Sequence, residues 1–298
     1  MTVLEDVSNN LADVVEAASA SIVRVDARRR FPASGFVWSK DGLIVTANHV
    51  LRRDDKIGIG LADGTLAAGQ LVGRDPSTDI ALLRVEDSEL VVLSAAADEH
   101  FKVGSLALAL GRPGASIQAT LGVVSAIGSG RNPQGGSQAD KYIQTDVLMY
   151  PGFSGGALVA ADGSLIGLNT SGLRHGASMT VPVSTLQRVL GALLQHGRVR
   201  RGYLGVSTQI VRLQEEIRTE LGQKTGLLIV AVEPGSPADD AGFKIGDTIV
   251  KVGSTEVRRH EDLLAELTNA KFEEKTPVTI VRGGEIQTLT VKIGEQTD

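Results

Sequence analysis

The chain has 298 residues, is 42% hydrophobic, carries a net charge of −5 and contains no cysteine. That length suits about two domains at about 100–200 residues each, and 42% hydrophobic content is ample for packed cores. The missing cysteines exclude disulfides, thiolate metal sites and cysteine catalysis, the acidic balance argues against a general nucleic-acid binder, and no apolar run approaches the roughly 18 residues of a membrane helix.

Only 3% of the residues are aromatic, so the cores must rest on Val, Leu, Ile and Ala. Thirty-five glycines against nine prolines suit a turn-rich β protein better than a disordered one. The N-terminus shows no basic segment followed by an apolar core, so no signal peptide is visible. As written the chain reads as cytoplasmic, or as an envelope protein whose leader has been removed.

Residues 3 to 19 read as a helix, with Leu4, Val7, Leu11, Val14, Val15 and Ala18 on one face. That face docks on the body or meets another copy. Short strands follow: 21–26, 35–38, 43–47, 57–61, 68–75 and 80–85, separated by turns such as Asp41-Gly42 and Asp63-Gly64. A second set spans 106–110, 119–126, 143–146, 157–159, 165–170 and 177–181. Two sets of about six short strands fit two packed antiparallel barrels.

Residues 184 to 196 read as a second helix, with Ser184 as its N-cap and Gly197 ending it. The basic run after it, Arg198 to Arg201, reads as an interdomain connection, and Arg28-Arg29-Arg30 as a solvated loop. Residues 201 to 294 form a different unit, with strands at 203–209, 226–232, 248–252, 278–282 and 287–293. Gly283-Gly284 makes a hairpin turn, Ser236-Pro237 starts a short helix, and a longer helix covers 261–269. The expected division is 1–19 helical segment, 20–190 first domain, 191–200 linker and 201–298 second domain.

The chemistry concentrates in Pro151-Gly152-Phe153-Ser154-Gly155-Gly156. Glycines on either side leave the approach to the Ser154 hydroxyl open, but serine is a weak nucleophile until a base takes its proton. A histidine and an acid lie upstream, in Thr46-Ala47-Asn48-His49-Val50 and in Asp79-Ile80-Ala81-Leu82-Leu83. His49, Asp79, Ser154 is the chain order of the chymotrypsin-like triad. His49 and Asp79 fall in the first strand set and Ser154 in the second, which places the site in a cleft between two barrels. The other histidines, His100, His175, His196 and His260, read as surface residues without metal-ligand spacing.

These blocks together resemble the HtrA/Deg family of serine proteases over residues 20 to 190, with Gln144-Thr145-Asp146 eight residues ahead of Ser154. Residues 201 to 294 resemble the family's C-terminal PDZ domain through Tyr203-Leu204-Gly205-Val206, Gly235-Ser236-Pro237-Ala238, Ala241-Gly242 and Gly246-Asp247. The chain departs from the family pattern at Phe153 and Tyr150, where Asn is usual, and has no aromatic residue before Phe31.

The resemblance implies a mainly β protein: two six-stranded chymotrypsin-like barrels followed by a PDZ domain. It implies a serine endopeptidase that cleaves unfolded or damaged proteins without a metal or organic cofactor. Ser154 is the nucleophile, His49 the base and Asp79 its anchor. Backbone N–H groups of Gly152, Phe153 and Ser154 form the oxyanion hole. Met149, Thr170 and Ser171 form the substrate pocket; with no acid there, a small or medium aliphatic P1 residue is expected. Leu173 to Gly176 forms a loop beside it.

In the PDZ unit, Tyr203, Leu204, Gly205 and Val206 would hold a peptide C-terminus, with Leu264 and Leu267 helping to receive its side chain and Arg200 or Arg201 adding charge. The family further implies a homo-oligomer, a trimer or a multiple of one, and relatives with leaders act in the bacterial envelope. The alternative reading is a chaperone or PDZ-mediated adaptor whose protease fold cuts little or nothing.

Overall fold

Strands form where β-branched and aliphatic residues run short between glycine turns, and here they close into two barrels. The computed structural model describes residues 2–28, 31–86, 90–97, 101–129, 141–173, 177–200, 202–269 and 274–295. The chain divides into a first unit that reaches Val199 and a second that starts at Arg200. Among the described residues no helix is long and apolar enough to cross a membrane.

The first unit opens with α1 (Val3–Ser19), started by a Thr2/Glu5 capping box. Leu11, Val14, Val15 and Ala18 pack on the body, but Leu4 is 81% exposed, so only the C-terminal half of the apolar face is covered. The first barrel contains β1 (Ile22–Asp26), β2 (Ala33–Ser39), β3 (Leu43–Ala47), β4 (Ile57–Gly60), β5 (Leu66–Asp75) and β6 (Ile80–Arg84), closed in the order β1-β2-β3-β6-β5-β4. The second contains β7 (Leu106–Gly111), β8 (Gln118–Ser129), β9 (Lys141–Thr145), β10 (Ala157–Ala160), β11 (Leu165–Thr170) and β12 (Ser178–Pro182). Its order, β10-β11-β12-β9-β8-β7, repeats the topology of the first.

Val23, Val25, Ile44, Ile59 and Leu83 fill the first barrel, and Val124, Ile143, Phe153, Leu158 and Ile166 the second. A third cluster, including Phe36, Leu82, Leu110 and Leu168, joins both barrels to α2 (Val183–His196). Helix α2 differs from expectation at its start. Pro182 is its N-cap residue, so Ser184 lies inside the first turn and its buried hydroxyl caps nothing. Its end is as expected: the helix runs to His196, taking in the first six residues of the expected 191–200 linker, and Gly197, at φ 70°, ends it in the left-handed conformation.

The second unit is a five-strand path, β14 (Val206–Arg212), β15 (Thr225–Val232), β16 (Thr248–Val252), β18 (Lys275–Arg282) and β19 (Glu285–Lys292), with β17 (Thr255–Glu256) paired to β16. The pieces β13 (Gly202–Tyr203) and β20 (Gly294–Glu295) pair separately. The strand expected over 203–209 is broken because Gly205 turns left-handed at φ 81°. Helices α4 (Pro237–Asp240) and α5 (His260–Asn269) stand where expected; α3 (Glu215–Leu221) does not announce itself, since Ile217 is its one buried residue. Arg282↔Glu285 pairing closes the Gly283-Gly284 hairpin.

Candidate active site

Backbone register brings the base and the acid together. Pairing of β3 with β6 ends at Ala47↔Ile80, and one more rung follows, from Asn48 N–H to the Asp79 carbonyl at 3.0 Å. His49 then starts its side chain beside that of Asp79. Asp79 itself takes φ 58°, a left-handed conformation that Asp tolerates better than most residues. The turn before it is held by Thr78 Oγ1 donating to Asp75 at 2.7 Å.

Asp79 is 3% exposed, and every bond it makes serves the base. Oδ2 accepts from His49 Nδ1 at 2.7 Å and Oδ1 from the His49 backbone N–H at 2.8 Å. A carboxylate only accepts, so Nδ1 carries a proton, and in the neutral imidazole this leaves Nε2 as the acceptor. Thr170 Oγ1 donates to the same Oδ2 and accepts from Gly172 N–H at 2.9 Å. Gly172 has to be glycine: a Cβ would stand 2.6 Å from Asp79 Oδ2 and 2.8 Å from His49 Nδ1.

The nucleophile loop is built by the same device in the second barrel. Beyond Ala157↔Leu168, Asn169 N–H donates to the Gly156 carbonyl and Gly155 N–H to the Asn169 carbonyl, both at 2.8 Å. The next step sets Ser154 opposite Ser171, and their Oγ atoms stand 3.1 Å apart. Among the described residues Ser154 Oγ makes this bond and none to His49. His49, Ser154 and Ser171 nonetheless line one cleft of about 280 Å³, together with Met149, Arg28 and Phe31.

The loop ahead of Ser154 is a turn closed by Phe153 N–H on the Tyr150 carbonyl at 3.0 Å. Pro151-Gly152 at its centre, with Gly152 at φ 95°, is the type II pattern. The N–H groups of Gly152 and Ser154 bond to no described group, as an oxyanion hole requires. Phe153 does not fit that expectation. Its N–H is spent in the turn, and its ring is fully buried in the second barrel, edge-on to Tyr150 at 5.7 Å. Thr170 is a second correction: it is fully buried against Asp79 and forms no pocket wall, whereas Met149 and Ser171 do reach the cleft.

Arg28 and Phe31 are cleft residues that the sequence reading missed, because Arg28 looked like part of a solvated basic loop. Burial, then Arg52, pushes the Arg28 guanidinium pKa down. Positions 29, 30, 100, 174 to 176 and 201, and with them part of the expected loop beside the pocket, lie outside the described residues.

In the second unit Leu204 and Gly205 form the turn between β13 and β14, with Gly205 at φ 81°. Gly205 is obligatory, since a Cβ would stand 2.1 Å from Ser236 Cβ. The Tyr203 hydroxyl donates to Glu233, which raises the phenol pKa. Leu204 and Leu267 sit in the core, while Val206 and Leu264 are half-buried. β14 is an edge strand of its sheet. Arg200 is engaged with Glu295 at 3.0 Å.

Twin six-stranded barrels of this topology, one carrying the His–Asp pair and the other a glycine-flanked serine, define the chymotrypsin-fold serine peptidases as the class. The trypsin-like peptidase domain family matches residues 33–168 and the PDZ domain family residues 202–293. The chain is 32% identical over 282 residues to a putative serine protease HhoB of Synechocystis, covering 90% of this chain and 68% of that one. It is 34% identical over 273 residues to the serine endoprotease DegS of Haemophilus influenzae, covering 88% and 76%. Against a probable periplasmic DegP-like endoprotease of Chlamydia pneumoniae identity is 35%, and the chain spans 54% of that protein's length. Among solved structures, the HtrA-type protease AlgW with a decapeptide superposes at a TM-score of 0.82 with 26% identity, covering 97% of this chain and 99% of that one. The serine endoprotease from Yersinia pestis gives 0.81 with 27% identity, covering 96% and 98%. The chain belongs to the HtrA/DegP family of serine proteases.

Proposed function

We propose that this chain hydrolyses peptide bonds of unfolded or damaged proteins with Ser154 as nucleophile, His49 as base and Asp79 as its anchor. The observation that carries the reading is the 2.7 Å bond from His49 Nδ1 to buried Asp79, with His49 and Ser154 facing one cleft. Ser154 Oγ attacks the substrate carbonyl carbon while its proton passes to His49 Nε2. The imidazolium then protonates the leaving amine as the C–N bond breaks. Water, deprotonated by His49, releases the acyl group and restores Ser154. Gly152 and Ser154 N–H groups receive the negative charge on the carbonyl oxygen. Met149 as a cleft wall favours an aliphatic P1 side chain, and Arg28 at the rim disfavours a basic one.

The peptide-binding role of the second unit is part of the same proposal. Backbone N–H groups of the Tyr203–Val206 loop take a C-terminal carboxylate and the β14 edge pairs with the peptide. The exposed Val3, Leu4 and Val7 support self-association, which sedimentation checks. The periplasmic descriptions of several relatives support an envelope location, which cell fractionation checks. A division near residue 200 into separately folding parts is supported by the two units, and limited proteolysis tests it.

The deciding experiment is casein cleavage together with fluorophosphonate labelling of the purified chain and mapping of the modified residue. Ser154→Ala is expected to abolish both without lowering the unfolding temperature. Labelling at another residue, or none, overturns the reading. One observation favours the adaptor alternative: Ser154 Oγ bonds Ser171 instead of His49. A Ser154→Ala variant that protects clients from aggregation, beside a wild type that never cuts, would establish that role.

A further inference from the structure

Ser34, on β2 of the first barrel, has no exposed surface, and its N–H and hydroxyl both reach the nucleophile loop of the second. Its N–H donates to the Ser154 carbonyl at 3.2 Å and its carbonyl accepts from Thr46 Oγ1 at 2.7 Å. Its hydroxyl stands 2.7 Å from the Gly152 carbonyl and 2.8 Å from Arg112 N. The direction of these bonds is unambiguous. An N–H can only donate, so Ser34 Oγ accepts from Arg112. A carbonyl can only accept, so the single Ser34 proton goes to Gly152.

That carbonyl belongs to the peptide joining Gly152 to Phe153, whose N–H is held by the Tyr150 carbonyl at 3.0 Å. A trans peptide is a rigid plane with its C=O and N–H on opposite edges. Here both edges are fastened. The two oxyanion donors, Gly152 N–H and Ser154 N–H, lie on either side of this plane. Rotating it changes ψ at Gly152 and φ at Phe153 together, and the donors cease to converge. Gly152, at φ 95° and without a Cβ, resists such rotation less than any other residue would.

Arg112 makes the clamp stiff. It is 3% exposed, and its guanidinium donates to the Ile22 carbonyl at 2.7 Å, the Ala115 carbonyl at 2.8 Å, and the carbonyl and hydroxyl of Ser19 at 2.9 and 2.8 Å. The Ser19 carbonyl lies at the C-terminal end of α1, where the helix dipole favours a cation. The backbone N–H that orients the Ser34 hydroxyl is therefore anchored to the docked end of α1.

We propose that Ser34 is a positioning residue for the oxyanion hole: its hydroxyl, oriented by Arg112, locks the Gly152–Phe153 peptide so that Gly152 and Ser154 N–H groups converge on one point. The inference rests on the proteolytic reading above. Ser34→Ala removes the clamp and leaves triad and cleft untouched. In the purified full chain, kcat falls about 10–100-fold with KM within about threefold, somewhat less than the roughly 10²–10³ lost with a whole oxyanion donor. Affinity for a peptidyl trifluoromethyl ketone, which forms a tetrahedral oxyanion on Ser154, falls by the same factor. Ser34→Cys, a weaker donor of similar shape, lies between.

A readout independent of turnover is amide hydrogen exchange at Phe153. In Ser34→Ala it accelerates while amides of β8 and β11 stay protected. Unchanged kcat with unchanged Phe153 protection overturns the proposal. So does a loss confined to KM, or deprotection spread over both barrels, which would make Ser34 a folding residue. If the wild type cleaves nothing, the proteolytic reading fails and Phe153 exchange alone decides the role of Ser34.

Discussion

The two barrels share one strand order yet secure their catalytic halves differently. In the first, His49 and Asp79 meet because one extra rung extends the β3–β6 ladder, so the pair is internal to that barrel. In the second, the loop carrying Ser154 is fastened by the other barrel, through Ser34 to the Gly152 and Ser154 carbonyls. Ladder extension places both groups, but the nucleophile loop also takes two bonds from Ser34 of the other barrel, where the Asp79 carboxylate takes one, from Thr170. A perturbation between the barrels should therefore disturb oxyanion geometry before it disturbs the imidazole.

The sharpest test of the internal pair is Asp79→Asn. Asn also tolerates a positive φ, so the fold survives, but its amide can donate to His49 Nδ1 and favours the wrong tautomer. We expect kcat to fall about 10⁴-fold, as for the same exchange in the serine protease template, with near-normal thermal stability. A loss under about tenfold would show that the Asp79 bond is not what fixes the imidazole tautomer.

Gly172→Val attacks the same pair from the second barrel. Its Cβ would crowd Asp79 Oδ2 and His49 Nδ1, and displacing a reacting group by about 1 Å costs about 10²-fold. Activity should drop by that order while circular dichroism stays unchanged, since position 172 is at the exposed surface.

The second unit supplies a control that should leave the barrels alone. Burial disfavours the charged form of Asp247, but hydrogen bonds from Arg282 at 2.7 Å and from the Lys244 N–H outweigh it and hold the carboxyl below the usual carboxylate range. Because the folded value is depressed, its stabilisation is complete above the unfolded pKa of about 3.9 and is lost as pH falls through the lower folded value. Asp247→Asn should destabilise this unit by roughly 2 kcal/mol at neutral pH, less than for a fully buried pair because Arg282 keeps contact with water. The single tryptophan, Trp38, lies in the first unit, so its fluorescence transition should not move while the chain's circular dichroism gains an earlier phase.

The smallest effect is expected at Ser171→Ala. It frees the Ser154 hydroxyl from a neutral hydrogen bond of about 0.5–1.5 kcal/mol, so kcat should rise by up to about tenfold. A fall instead would make Ser171 a donor to the nucleophile.

Much of the site was legible because its pieces are local. Pro151-Gly152 encodes the turn that opens the donors, and the Asn-His and Asp-Ile-Ala-Leu-Leu segments sit at the ends of recognisable strands. What could not be read were contacts between distant segments. Thr170 looked like a pocket residue because nothing in its neighbourhood places it on Asp79, 91 positions away. Phe153 looked like a donor because its amide is adjacent to the nucleophile, but its turn consumes that N–H and the barrel buries its ring. Helix α3 was silent because a seven-residue helix presents too few apolar positions to establish a period.

The order of residues thus determined by itself the places of most strands, the glycine turns and the identity of the reacting groups, since alternation and backbone freedom act over a few bonds. Closure of the barrels decided the rest. Ser34, Arg112, Thr170 and Gly172 acquire their roles only when segments as far apart as Ser34 and Gly152, 118 positions, are pressed into contact, where an unbonded buried polar group is too costly to leave unpaired.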